Sequence, residues 1–230
     1  MPDSLNISVA LLTGKFDPAE HPDFARIPDA WSGGSACGAY LHREALAAFL
    51  RMAEAAQREG IRLTILSATR NFDYQTAIWN DKWTGKRLVE GKNLAQLPDS
   101  AEKARRILRY SAMPGSSRHH WGTDFDLNAF ENRYFEQGEG KKVFDWLEQH
   151  AASYGFCRPY TAKGPERPEG YEEEKWHWSY LPLAGPYLAA YLAQVRYSDL
   201  SGFEGSAAAP GLDVFGKYVA GVSAACRPQP

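Results

Sequence analysis

Ser117-Arg-His-His-Trp-Gly-Thr-Asp-Phe-Asp126 and, further along, Glu174-Lys-Trp-His177 are the two stretches from which the rest of this chain can be read. Between them they hold His119, His120 and His177, three of the six histidines, set among acids and tryptophans. Thr123 to Leu127 alternates in the manner of a β-strand, so Asp124 and Asp126 share one face while Phe125 points the other way. A catalytic zinc takes three ligands from His, Asp, Glu or Cys and keeps a fourth position for water. His119, Asp126 and His177 supply such a set, with His120 as the rival of its neighbour. If Asp126 is a ligand, Asp124 lies two residues up the same face and can orient a ligating imidazole from behind. Glu174 stands three positions before His177, near enough to take a proton from water at the metal and pass it to a leaving nitrogen. These residue types in this order point to metal-assisted hydrolysis of an amide.

Outward from the motif, Leu46, Phe49, Leu50, Met52, Ala53 and Ala56 recur at helical spacing, which predicts a helix over 41–59 stopped by Gly60. The β-branched run Ile61 to Leu66 follows as a buried strand. Further helices are expected over 71–82, 99–110, 141–154 and 184–195, the second opened by an Asp99-x-x-Glu102 capping pattern. Short strands are expected over 123–127 and 176–181. Helices and strands mix without regular βαβ alternation, so the fold class is α+β, a small mainly antiparallel sheet flanked by helices. Residues 1–40, with turn formers such as Lys15-Phe-Asp-Pro18 and Ser32-Gly-Gly-Ser35, read as an irregular arm packed on the core. Residues 41–198 read as the catalytic domain, and the Gly/Ala/Ser-rich stretch 199–230 as a tail laid along its surface.

With 26 Lys and Arg against 28 Asp and Glu in 230 residues, the net charge of −2 provides no field to gather nucleic acid or anionic lipid. No apolar run is long enough for a membrane span. Met1 to Leu12 lacks a basic start and a small-residue cleavage site, so it does not read as a secretory signal. H-E-x-x-H, G-x-S-x-G and Gly-rich phosphate loops are absent from the sequence. Ser100-Ala-Glu-Lys103 fits S-x-x-K without its K-T-G companion, at a helix start where chance accounts for it.

Ser117-x-His119-x-x-Gly122-x-x-x-Asp126 with Glu174-x-Trp176-His177 resembles the signature of the LAS metallopeptidases, in particular the VanY-like D-alanyl-D-alanine carboxypeptidases and their LdcB-like L,D-carboxypeptidase relatives. Ser67-Ala-Thr-Arg70-Asn-Phe-Asp-Tyr-Gln75 is similar to that family's S-x-x-R-x-x-x-x-Q. The resemblance implies the hedgehog/D-Ala-D-Ala peptidase type of fold, with Zn2+ on His119, Asp126 and His177, and it selects His119 over His120. It further implies Glu174 as general base and then acid. Arg70 would serve the developing oxyanion or a substrate carboxylate, and Ser117, Gln75 and Trp176 would be substrate contacts. One departure is Asp124, where the family usually has Ala.

The implied activity is removal of the C-terminal D-alanine from peptidoglycan stem peptides. L,D-carboxypeptidase action on tetrapeptide stems and endopeptidase action are the alternatives within the family. A reading of another class is a zinc-stabilised binding module such as the hedgehog signalling domains, which a poised Glu174 argues against. The expected protein is a monomer acting in the periplasm or outside the cell, with stem peptides rather than nucleic acid or membrane as partner. In such an oxidising compartment a Cys157–Cys226 disulfide is expected to tie down the tail, with Cys37 as the alternative partner of either.

Overall fold

The computed structural model describes residues 7–227; the first six residues of the expected arm and the last three of the tail lie outside the described residues. The arm begins with a short helix, α1 (Val9–Leu12), whose Leu11 and Leu12 are buried. Strands β1 (Phe24–Arg26) and β2 (Tyr40–His42) then form a two-stranded antiparallel sheet. Helix α2 (Arg43–Arg58) starts where the His42 ring accepts a hydrogen bond from the Glu44 N–H, and buries Leu46, Phe49, Met52, Ala53 and Ala56 along one face.

The main sheet has the order β3 (Ile65–Ser67), β4 (Asp124–Leu127), β6 (His177–Tyr180), β5 (Phe156–Cys157), every pairing antiparallel. The α+β architecture read from the sequence is therefore the one observed. The strand expected over 61–66 is shorter and shifted for a local reason. Asn128 adopts φ 63°, which ends β4, and its side chain replaces ladder bonds by accepting from the Thr64 N–H and donating to the Arg62 carbonyl.

Helices α3 (Phe72–Trp83), α4 (Ser100–Leu108), α5 (Gly138–His150) and α6 (Leu181–Gln194) flank the sheet, each within a few residues of its expected span. Asp99 caps α4 by accepting from Ala101 and Glu102, but Glu102 turns to Arg105 and Arg106 instead of returning the bond. The expected end of α5 is a 3-10 turn, Ala151–Tyr154, closed by Gly155.

Alternation along β4 divides the molecule. Phe125 faces α2 and packs edge-on against Phe49 and Phe156, both at 5.2 Å between ring centres, in a core that also holds Leu63, Trp146 and Trp178. Asp124 and Asp126 face the other way, and register places them opposite Ser179 and His177 of β6. A second core, built from α1, α3, α4 and α6, draws Leu200, Phe203, Leu212, Val214, Val219 and Val222 from the final segment. Residues 199–227 thus supply buried side chains where a surface-lying tail was expected, because apolar residues scattered among Gly and Ala carry no periodic signal. Cys157 and Cys226 form the expected disulfide, with Cα atoms 5.5 Å apart, and Cys37 is free and exposed.

Candidate metal centre and active site

His119 and His120 lie in a 3-10 turn, Arg118–Trp121, that Gly122 ends at φ 68°. A side chain at Gly122 would meet the Phe24 ring at 2.3 Å and the His42 backbone nitrogen at 2.8 Å, so the turn can seat against β2 only with glycine here. Within this turn the two adjacent imidazoles do different work. His119 Nδ1–H donates to the Ala68 carbonyl at 2.8 Å, which leaves Nε2 as a lone pair. That nitrogen is buried, lies 3.4 Å from Asp126 Oδ2 and has no hydrogen-bond partner among the described residues. Burial, with Arg70 adding to it, lowers the His119 pKa to about 4, the state a metal ligand needs.

His120 bridges Arg70 and Gly115: its Nδ1–H donates to the Arg70 carbonyl at 2.6 Å and its Nε2 accepts from the Gly115 N–H at 3.1 Å. Both ring nitrogens are therefore engaged with backbone, and His120 is a strut.

His177 donates from Nε2 to Asp124 Oδ2 at 3.0 Å, as the sequence spacing suggested, and so turns Nδ1 toward Asp126 Oδ1 at 3.1 Å and Glu174 Oε2 at 3.4 Å. Burial alone would lower its pKa, but the hydrogen bond to Asp124 and the close Asp126 and Glu174 carboxylates override that and raise it well above the usual histidine value. The pocket around His177 therefore attracts positive charge. Burial pushes Asp126 up, yet His119 and His177 more than offset this and hold its carboxylate ionised. Glu174 is also buried, and that burial raises its pKa, which suits a proton acceptor.

The residues fit a zinc ion. One atom each from His119, Asp126 and His177 lies within 4.8 Å of the others, and the orphaned His119 Nε2 and Asp126 Oδ1 are two of the donors such an ion would use. Asp124, the departure from the family pattern, adds no loose charge. Arg118, itself buried, donates from Nε to Asp124 Oδ2 at 2.9 Å and from Nη2 to Ser179 Oγ at 2.7 Å, while Ser179 and Thr123 donate to Asp124 Oδ1 at 2.7 and 2.6 Å.

The cleft beside this centre is lined by Arg70, Ser111, Ser117, Tyr160, Tyr171 and Glu174. Arg70 is held through its N–H to the His119 carbonyl, and its Nε has no partner among the described residues. Of the expected substrate contacts, Ser117 borders the cleft, whereas Gln75 and Trp176 do not. Gln75 is fully buried behind the wall and donates to the Ala112 carbonyl at 2.8 Å. Trp176 packs with the core behind the sheet, because neighbours along an extended chain point to opposite faces and His177 takes the cleft side. Sequence reasoning missed Arg118, Ser111, Tyr160 and Tyr171. For Arg118 a signal existed, since an acid in a normally apolar motif position calls for a buried counter-ion.

The profile of the VanY D-alanyl-D-alanine carboxypeptidase family matches residues 38–183. The putative carboxypeptidase YodJ of Bacillus subtilis (strain 168) is 31% identical over 148 residues, covering 62% of this chain and 46% of that protein. The chain thus spans less than half the length of this curated relative. Among solved structures, the LdcB LD-carboxypeptidase superposes with a TM-score of 0.54 at 24% identity, over 73% of this chain and 70% of that one. The VanY D,D-pentapeptidase of the VanB-type resistance cassette, determined with Zn(II), gives 0.50 at 23%, over 74% and 89%. These structural likenesses carry the fold, and the profile match over more than half the sequence carries the kinship: the chain belongs to the VanY D-alanyl-D-alanine carboxypeptidase family.

Proposed function

We propose that this protein is a zinc-dependent carboxypeptidase that removes the C-terminal D-alanine of peptidoglycan stem peptides, acting as a D,D-carboxypeptidase on the pentapeptide. The observation that carries the reading is the buried His119, Asp126 and His177 cluster with two orphaned donor atoms and Glu174 3.4 Å from His177. The family's description and the Zn(II) held by the VanY fold neighbour support the substrate and the metal.

Zinc, when bound, would supply a Lewis acid for the scissile carbonyl and lower the pKa of water toward about 7. Glu174 accepts the proton of the attacking water at its carboxylate and returns it to the leaving nitrogen, a role its raised pKa suits. Arg70 offers an unpaired guanidinium Nε at the cleft for the oxygen that gains negative charge. Asp124 keeps the His177 ring turned with Nδ1 inward, and His120 fixes the backbone from which Arg70 projects. A periplasmic or extracellular site of action fits both the substrate and the Cys157–Cys226 bridge. Among the described residues no helix is long and apolar enough to cross a membrane.

Mass spectrometry of defined muropeptides after incubation with the zinc-loaded protein tests the reading. Loss of one alanine from the pentapeptide is the expected result. Loss of alanine from the tetrapeptide alone would make the enzyme an L,D-carboxypeptidase, and cleavage within a cross-bridge an endopeptidase. No product from any of them would overturn the peptidase assignment.

A further inference from the structure

Lys82 is a second cation beside the cleft, and among the described residues it has no acidic partner. It projects from the last turn of α3 and is 8% exposed. Its hydrogen bond runs from Nζ to Ser111 Oγ, and among the described residues it makes no ion pair. An ammonium group has three donors, so two are left without an acceptor among the described residues. Buried charges in folded proteins are ordinarily paired or ligand-bound, and a lysine kept this way has an open demand for an anion.

The direction in which that demand is met follows from Ser111. This residue lies just after α4 and lines the cleft together with Arg70, Ser117 and Glu174. Its oxygen accepts from Lys82, so its own hydrogen remains to be donated, and the ammonium behind it strengthens that donation. Burial, Arg87 and Arg70 lower the Lys82 pKa to about 8, while Glu174 opposes them, so the group still carries its proton at neutral pH. The bond to Ser111 sets Lys82 directly behind the lining that also holds Arg70 and Glu174.

We propose that Lys82 and Ser111 form the anion pole of the cleft and receive the terminal carboxylate of the residue to be released, which leaves Arg70 to the oxyanion. The proposal rests on the carboxypeptidase reading and deepens it. A free carboxylate is what distinguishes the last residue of a peptide from any interior one, so this pair selects exo-cleavage over endo-cleavage. Lys82 and Ser111 stand outside the metal motifs, and neither is needed to hold zinc.

The test is steady-state kinetics of the zinc-loaded full chain, as wild type, Lys82→Met and Ser111→Ala, on diacetyl-L-Lys-D-Ala-D-Ala and on its C-terminal amide. The wild type should prefer the acid. Lys82→Met should raise KM for the acid about 10- to 100-fold, the loss of one charge-assisted contact, with kcat nearly retained. It should also remove the discrimination between acid and amide, which a merely structural lysine would leave in place. Ser111→Ala should move both quantities the same way by less, and it decides the matter if Lys82→Met does not fold. Unchanged KM and unchanged discrimination in an active protein would overturn the proposal and leave the peptidase reading standing. A wild type that cleaves neither substrate would overturn both.

Discussion

Arg118 and Asp124 form an ion pair wholly excluded from solvent, Nε to Oδ2 at 2.9 Å, and the same carboxylate oxygen accepts from His177 Nε2 at 3.0 Å. The pair lies six residues apart within one motif, so the arginine that neutralises the acid travels with it in sequence. Without Arg118 the site would hold Asp124, Asp126 and Glu174 around one histidine. With it, Asp124 is committed to orienting the imidazole.

This pair should behave as a unit. Arg118→Leu leaves a buried carboxylate with too little compensation and should cost about 3–5 kcal/mol, whereas adding Asp124→Ala should return much of that loss. Urea denaturation of the four proteins of the cycle measures the coupling; additive losses would mean that the two residues act separately. Asp124→Ala should also weaken zinc binding about 10- to 100-fold in a chelator competition, since His177 loses its orienting acceptor.

Glu174→Gln should retain stoichiometric zinc and lose about 10²- to 10⁴-fold in kcat, because an amide holds water but does not take its proton. His119→Ala should lose the metal, and His120→Ala should keep it while weakening turnover through the released Arg70 backbone. Metal content by plasma mass spectrometry, set beside turnover, separates these outcomes; zinc retained in His119→Ala and lost in His120→Ala would reverse the assignment.

Lys82 makes a stability prediction with a definite sign. Its pKa falls from 10.5 unfolded to about 8 folded, so between those values the unfolded chain holds more protons and stability rises with pH. Below pH 8 the full cost of burying the charge is present. Lys82→Met should therefore be more stable than wild type at pH 7 by about 3 kcal/mol, with the advantage shrinking as pH climbs from 8 to 10.5. Thermal melts of both proteins across this range check it, and a variant less stable at pH 7 would mean that the lysine holds the fold together.

Cys157 and Cys226 close a loop with a sequence separation of 69, for which chain entropy gives about 4 kcal/mol. The double serine variant should melt lower than the oxidised protein and at the same temperature as the reduced one. Equal melting of oxidised and reduced wild type would show that the bridge contributes nothing.

The centre was legible because it is local. The spacing of His119, Asp126, Glu174 and His177 survives in the sequence, and strand alternation alone puts Asp124 behind the ligand and Phe125 in the core. The same alternation, counted back from His177, would have sent Trp176 to the far face. Gln75 misled because a motif position does not say whether a side chain meets substrate or the wall behind it. Lys82 and Ser111 were invisible for a different reason: they are 29 residues apart and meet only when α3 and α4 pack. Strand β3 was misjudged because the Asn128 side chain satisfies backbone groups that a propensity argument assigns to a ladder.

Gly14 of the arm and Tyr191 of α6 brace the segments around Arg70 and His120. Gly14 packs so closely on the His120 ring that a Cβ there would lie 2.3 Å from Nδ1, and the Tyr191 hydroxyl donates to the Gly115 carbonyl at 2.8 Å. These props lie outside residues 38–183, the segment that carries every motif. A truncation to residues 38–183 should therefore lower turnover while leaving His119, Asp126 and His177 in place, which turnover set beside metal content would check. In hydrogen exchange the amide of Gly115 should open together with the terminal segments, as one cooperative unit.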